Sequence, residues 1–390
     1  MIKHNKTRKA DIVVGIPSYN EHDSISKVTR KIDEGLRAYF PDYKSLIVNV
    51  DGNSEDRTVE VFNGTATSTS KLALRGGSTP RGKGANIFRL LELAHEVDAA
   101  YVCMFDADTV SISEEWPKRV LQPMIDSRAD FVAPVYTRNR YEGNTTNHFC
   151  YPLMNAWFGG AISQPIGGDF GMNAAFIRHL TGMPRIRDSF LYGIDIFLTV
   201  HAMGGQFTLE EVYLGRKIHK PSFDKINPIF LQAASTMFYT LSKYKDVFST
   251  SIVRCASDVR MDSSFVRVPT SERQQQLMTH AQSLLHSFTR EDTDIYLGIS
   301  QKFVDSLIRG RPLESDEWVA LLKASASYTY THEIDDEASR RLAALLSPFY
   351  FLRVLSYFEE LKDQRANPER IINAQTQKLA SAFAEIRRGS

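Results

Sequence analysis

Between residue 11 and about residue 220 the chain alternates short β-branched runs with stretches of helical spacing. That alternation constrains the fold more than any other feature, because strands separated by helix-length segments pair in parallel through crossover helices. Strands are expected at residues 12–17, 45–51, 72–75, 99–106 and 131–136, with a further strand-like run at 207–214. Helices are expected at 24–39, 55–62 and 85–97. The expected fold class is therefore α/β, with a Rossmann-like sheet. In open sheets of this kind ligands lie beyond the carboxyl ends of the strands, so the residues that follow each run are the ones to inspect.

After about residue 222 the texture changes to long stretches of helical spacing. Ser271 with Gln274 can form a capping box, and Pro368 stands where a first helical turn would start. The expected division is an α/β domain over residues 1–225 and a mainly helical C-terminal domain over 226–390, the latter an acceptor wall, a lid or the surface of a homodimer. Lys and Arg number 47 against 46 Asp and Glu, so nothing global calls for nucleic acid or an anionic membrane. Cys103, Cys150 and Cys255 are an odd, scattered set, which argues against a disulfide framework or a structural zinc site and fits a reducing cytoplasm. The basic residues 1–9 precede no long apolar stretch, and the greasiest later segment, 342–358, contains Pro348 and Arg353. It falls short of the roughly 20 apolar residues of a spanning helix, so a soluble chain is expected.

Polar and glycine-rich chemistry recurs at four strand ends. The sharpest is Asp106-Ala107-Asp108 after an apolar run. If the strand continues to Asp106, residues two apart project the same way and both carboxylates converge. Hard divalent cations prefer such oxygens, Mg²⁺ commonly taking one or two with phosphate and water completing the shell. A pair of solvated aspartates opening a turn is the plainer alternative. His219, in Lys217-Ile218-His219-Lys220, is the best third ligand, since an imidazole suits Mn²⁺-like ions.

The segment from Gly77 to Lys83 reads G-x-x-x-x-G-K, but Gly84 stands where a phosphate loop needs Ser or Thr. What survives is a glycine loop before a helix, whose free N–H groups and dipole suit anions, with Lys83 as a point charge. After the first strand, Tyr19 can pack against a nucleobase while Glu21 or Asp51 accepts hydrogen bonds from ribose or base. Residues 164–172 are dense in glycine, and Asp169 among them can bond a sugar hydroxyl. Asp195 lies in an apolar, helical segment, so it is a cap, a paired core group or part of a site.

In order, P-S-Y-N-E, V-D-G-N-S-E-D, R-G-K-G, D-A-D, Q-P-I-G-G-D, Y-G-I-D and K-I-H-K resemble the GT-A glycosyltransferases. More narrowly they resemble the retaining group that contains the mannosylglycerate, glucosylglycerate and glucosyl-3-phosphoglycerate synthases. The resemblance covers residues 11–225. It implies a GT-A domain and a nucleotide-diphospho-sugar donor of the UDP-glucose or GDP-mannose type. Pro17, Tyr19, Glu21, Asp51, Lys83 and Asp106 match donor-holding positions. Asp108 matches the principal ligand of Mg²⁺ or Mn²⁺, with His219 and Asp106 completing the set. Gly168 and Asp169 match the segment facing the donor sugar, and Asp195 the acidic position near the anomeric carbon. In phosphoglycerate-using relatives a basic residue after the fifth strand grips the acceptor phosphate; here Asn144, near Thr146, stands in that place, while Arg138 and Arg140 can bind a carboxylate bidentately. This favours glycerate, with phosphoglycerate as the alternative. A sugar nucleotidyltransferase or a non-catalytic nucleotide-sugar-binding module are the rivals from other classes.

Overall fold

The computed structural model describes residues 9–76, 81–220, 223–248, 252–253, 268–289, 291–363 and 365–388. In chain order the first elements are β1 (Ile12–Ser18), α1 (Ile25–Tyr39), β2 (Ser45–Asp51), α2 (Thr58–Gly64), β3 (Ser70–Arg75), α3 (Lys83–Glu96), β4 (Tyr101–Met104), α4 (Glu115–Ile125) and β5 (Phe131–Thr137). They are followed by α5 (Tyr151–Phe158), β6 (Gly171–Asn173), α6 (Ala174–Thr181), α7 (Ile194–Gly204), β7 (Leu209–Arg216), α8 (Ile226–Leu241) and β8 (Ile252–Val253). Five helices close the chain: α9 (Ser271–His286), α10 (Gln301–Ile308), α11 (Ser315–Thr331), α12 (Asp336–Glu360) and α13 (Pro368–Arg388).

The chain divides into two compact units, and they interleave. The first comprises the described parts of Met1–Thr137, Ile162–Pro221 and Ser251–Val259; the second those of Arg138–Ala161, Ser222–Thr250 and Arg260–Ser390. A single boundary at residue 225 therefore misses the excursion 138–161, which joins the helical unit.

The first unit is built on a sheet of order β3-β2-β1-β4-β6-β5-β7-β8. Every residue of β1 is buried, because helices cover both faces of this central strand and the run is continuously apolar rather than alternating. The edge strand β3 instead alternates exposed and half-buried residues. On α1 the buried residues Ile25, Val28, Ile32 and Leu36 recur at helical spacing and face the sheet. The sheet is mixed, not purely parallel: β6 runs antiparallel to both β4 and β5. It arises from a stretch expected to be only a glycine loop.

In the second unit the greasy segment 342–358 lies within α12, buried almost throughout. Its hydrophobicity serves a helical core, and among the described residues no helix is long and apolar enough to cross a membrane. Arg353, fully buried on that helix, pairs with Glu360 two turns on. Helix α13 starts at Pro368 as expected. For α9 the cap lies one residue earlier than expected: Thr270 accepts the Arg273 N–H, while the Gln274 side chain donates to the Pro269 carbonyl at 2.7 Å. Cys103 and Cys150 are buried thiols, not half-cystines; Cys255 lies outside the described residues.

Each unit buries a neutral histidine. Burial, with Arg353 beside it, holds His148 well below the ordinary histidine value. Burial, with His179 nearby, pulls His201 to about 3. As the pH falls below about 6.5 the unfolded chain takes up protons at these rings that the folded chain refuses. Stability fully present above that pH is thus lost below it, at about 1.4 kcal/mol per pH unit for each ring. Denaturant melts at pH 7.5 and pH 5 are expected to show each unit weakened by about 2 kcal/mol; unchanged midpoints would contradict this account of the two rings.

Candidate active site

The carboxyl ends of β1, β2 and β4 meet at one edge of the sheet, since β1 pairs in parallel with both neighbours. Strand β4 ends at Met104, so Asp106 and Asp108 lie beyond it, in a turn closed by the Thr109 N–H on the Asp106 carbonyl at 3.1 Å. The same-face rule for alternate strand residues therefore does not reach them.

Asp106 is instead held between two ammonium groups. One of its oxygens pairs with Lys83 Nζ at 2.8 Å and the other with Lys217 Nζ at 2.8 Å. Lys83, the first residue of α3, also lies 3.5 Å from Asp195 in the first turn of α7. Lys217 follows β7 directly and donates to Asp169 at 2.7 Å and to the Gly167 carbonyl at 3.0 Å. Asp169 is fully buried and its oxygens are committed: one accepts the Asp106 N–H at 2.7 Å, the other the Tyr136 hydroxyl and Lys217. These contacts leave Asp169 organising the site, not reaching toward a sugar.

The electrostatics follow from this packing. Burial pushes the Asp106 carboxyl up, but Lys217 and Lys83 outweigh it and hold the group below the usual carboxylate range. Burial opposes the charge on Lys83, yet Asp106 and Asp195 together keep its pKa above the ordinary lysine value. Asp195 sits in the same buried cluster with only the longer contact to Lys83, and burial raises its pKa. Two cations and three carboxyl groups thus share one water-poor site, an arrangement that concentrates at functional centres.

Gly168 is required where it stands. Its φ of +89° belongs to the left-handed region, and a Cβ there would lie 2.5 Å from an Asp106 oxygen and 3.0 Å from Lys83 Nζ. Gly168→Ala is expected to push Asp106 off its lysines, to cut turnover sharply and to lower the melting temperature through the strained backbone. A variant as active as the parent would show that the Asp106 position is unimportant.

Beside this cluster, residues 218–220 are laced to the loop after β4. The Val110 N–H donates to the Ile218 carbonyl at 3.0 Å, the Ile218 N–H to Ser111 Oγ at 2.9 Å and the Lys220 N–H to Asp108 at 3.3 Å. The exposed His219 is thereby carried on a segment bonded to the Asp108 loop. Lys220 Nζ reaches Glu21 at 2.6 Å and the Asn20 carbonyl at 3.2 Å. Burial raises the Glu21 pKa, against the pull of Lys220.

Among the described residues no group of three or more His, Cys, Asp or Glu side chains is arranged to hold a metal ion. The expected trio of Asp106, Asp108 and His219 is not among such groups; each Asp106 oxygen instead pairs with a lysine. Asp108 and His219, on two hydrogen-bonded segments, fit an ion that takes few protein ligands and completes its shell with phosphate and water.

The residues expected at the nucleoside divide in the same way. Tyr19, just after β1, is 55% exposed, whereas Pro17 is buried within the strand. Asp51 is spent internally: it accepts the Ser54 N–H at 2.8 Å and the Ser54 hydroxyl at 2.6 Å. The start of α3 is less open to anions than expected, since the Gly84 N–H donates to the Leu191 carbonyl at 3.1 Å. Residues 77–80 of the glycine loop lie outside the described residues.

Arg138, Arg140, Asn144 and Thr146 belong to the second unit. There Arg140 donates to the Ala366 carbonyl at 3.3 Å and accepts the Tyr357 hydroxyl on its own carbonyl at 3.0 Å. Asn144 donates to the Tyr141 carbonyl at 2.9 Å, and Thr146 is buried. Sequence reasoning passed over Lys217, Lys220 and Tyr136. The two lysines flank the one histidine that drew attention, and their position just after a strand was the available signal; Tyr136 carried none, being one more aromatic in a buried run.

The first unit has a mixed α/β sheet of GT-A-like topology with a cluster of charged residues at its strand ends. Residues 13–181 match the family model of glycosyl transferase family 2. Solved structures similar to this chain include glucosyl-3-phosphoglycerate synthase from Mycobacterium tuberculosis in complex with Mn²⁺, UDP and phosphoglyceric acid, at 19% identity over 60% of this chain and 78% of that one, TM-score 0.49. The same enzyme with Mn²⁺, UDP-glucose and phosphoglyceric acid is 20% identical over 60% and 80%, TM-score 0.49. With Mg²⁺ and UDP it is 19% identical over 60% and 79%, TM-score 0.49. No curated protein matches the sequence.

Proposed function

We propose that this protein is a metal-dependent, retaining hexosyltransferase that moves glucose or mannose from a nucleoside-diphosphate sugar to a small polar acceptor of the glycerate type. The observation that carries the reading is the strand-end cluster of Lys83, Asp106, Lys217 and Asp195 beside Asp108, in a chain whose residues 13–181 match a glycosyltransferase family. Tyr19 and Glu21 hold the nucleoside. A divalent ion bound by Asp108 and His219 would supply positive charge opposite the donor diphosphate. Lys83, already ionised, adds fixed positive charge where the leaving group gains negative charge, an interaction strengthened by burial. Asp195, 3.5 Å from that ammonium, would stabilise positive charge on the sugar as the bond to the diphosphate breaks.

The acceptor reading comes from the sequence: Asn144 stands where phosphoglycerate-using relatives carry a cation, and Arg138 and Arg140 suit a carboxylate. Incubating the protein with UDP-glucose or GDP-mannose and either glycerate or 3-phosphoglycerate, with Mg²⁺ or Mn²⁺, is expected to give a hexosyl-glycerate. Transfer to 3-phosphoglycerate alone would overturn the acceptor assignment and leave the transferase standing.

A further inference from the structure

The excursion 138–161 belongs to the helical unit, and the C-terminal helices grip its first residues one after another. The Tyr357 hydroxyl of α12 donates to the Arg140 carbonyl at 3.0 Å, and the Arg140 guanidinium donates to the carbonyl of Ala366, just before α13, at 3.3 Å. The Tyr141 ring packs edge-on against Phe358, with 5.4 Å between centroids. The Thr145 and Tyr350 hydroxyls share a hydrogen bond at 2.9 Å, and Trp318 Nε1 of α11 donates to the His148 carbonyl at 2.8 Å.

Arg140 is held at its backbone and at its side chain at once. It is half-buried, and among the described residues its guanidinium meets one acceptor, a backbone carbonyl, and no carboxylate. A guanidinium carries five N–H donors in a rigid fork. Those left over suffice for bidentate pairing with a carboxylate. Burial pushes the Tyr357 phenol above its ordinary value, against the pull of Arg140 and Arg353, so it stays a hydrogen-bond donor at neutral pH. Asn144 Oδ1 and Thr146 Oγ1, on the same stretch, are buried without a protein partner among the described residues. Buried polar atoms ordinarily have one. A run that carries an uncompensated cation and two unpaired oxygens suits a small polar anion better than it suits packing alone.

We propose that Tyr357 is a positioning residue for the acceptor: by holding the Arg140 backbone it aims that guanidinium at the carboxylate of a small hydroxy acid, and so sets a preference for an anionic acceptor over a neutral polyol. The inference rests on the acceptor reading given above and deepens it. Discrimination then depends on α12, a helix outside the residues 13–181 that match the transferase family model.

The test is equilibrium binding to the full chain, with D-glycerate and glycerol as probes and saturation transfer from protein to probe as the readout. The two probes differ in the carboxylate. The parent is expected to prefer glycerate by about tenfold or more, the worth of a charge-assisted hydrogen bond. Arg140→Gln is expected to bind both probes alike. Tyr357→Phe, which loses only the hydroxyl, is expected to lose most of the preference. Tyr350→Phe removes a comparable bond from α12 to the same segment and is expected to keep it. A merely structural role would lower the melts of both tyrosine variants and leave both preferences intact.

A parent indifferent to the carboxylate, an Arg140→Gln protein that still prefers glycerate, a parental preference in Tyr357→Phe, or an equal loss in Tyr350→Phe would each overturn the proposal. Should Tyr357→Phe not fold, Arg140→Gln decides, because a chain that keeps its preference without that guanidinium has nothing for Tyr357 to aim. Donor cleavage tests the transferase reading by itself. A chain that cleaves no nucleotide sugar yet prefers glycerate through Arg140 would sink that reading and keep the Arg140 site; a transferase indifferent to the carboxylate would do the reverse.

Discussion

Asp108→Ala is expected to reduce metal-dependent turnover by about a thousandfold, the upper end of what loss of one preorganised charge contact costs. The effect is large because Asp108, unlike Asp106, pairs with no lysine ammonium among the described residues and accepts a 3.3 Å hydrogen bond from the Lys220 backbone N–H. Folding is expected to survive, since the side chain is half-buried at a loop and supports no core packing. His219→Ala is expected to behave alike, with its imidazole exposed on the neighbouring segment. The check is the rate of donor cleavage at saturating Mn²⁺ together with a thermal melt. A folded Asp108→Ala protein with the parental rate would remove the metal from the mechanism.

Asp169→Ala is expected to act in the opposite sense, on stability first. The carboxylate is fully buried and accepts from the Asp106 N–H, the Tyr136 hydroxyl and Lys217. Truncation leaves the Tyr136 hydroxyl and the Asp106 N–H without this partner and takes one of three acceptors from the Lys217 ammonium, and breaking a buried pair from one side costs about 3–5 kcal/mol. Burial raises the Asp169 pKa, and Lys217 opposes that rise. The measurement is an equilibrium denaturant melt, expected to show the midpoint of the first unit moving down. If stability is untouched and only activity falls, Asp169 faces the substrate after all.

Much of the α/β unit was legible because its central strands are contiguous β-branched runs: residues 12–17 and 45–51 became β1 and β2, buried along their length. Strand β6, Gly171–Asn173, was not legible, since three residues carry no periodicity and the antiparallel pairing depends on distant partners. Helix α4 was missed because Pro117 and Pro123 break the expected pattern, although Pro117 lies in its first turn, where no amide is needed. The excursion 138–161 left no compositional mark of its change of unit. At the site, spacing located Asp106 and Asp108 but not the partners of Asp106. Those are two lysines, one about twenty residues earlier and one more than a hundred later, and only the folded chain brings them together. For the same reason Asp51 looked available in sequence and is in fact bound to Ser54.

The reaction class can be read from what leaves the donor. The protein, freed of metal and then supplied with Mn²⁺, should be given a panel of nucleoside-diphosphate sugars in one series and nucleoside triphosphates with sugar phosphates in another. Release of nucleoside diphosphate in the first series, dependent on the ion and abolished in Asp108→Ala, is the predicted result. Pyrophosphate from the second series with nothing from the first would contradict hexosyl transfer and identify a nucleotidyltransferase instead.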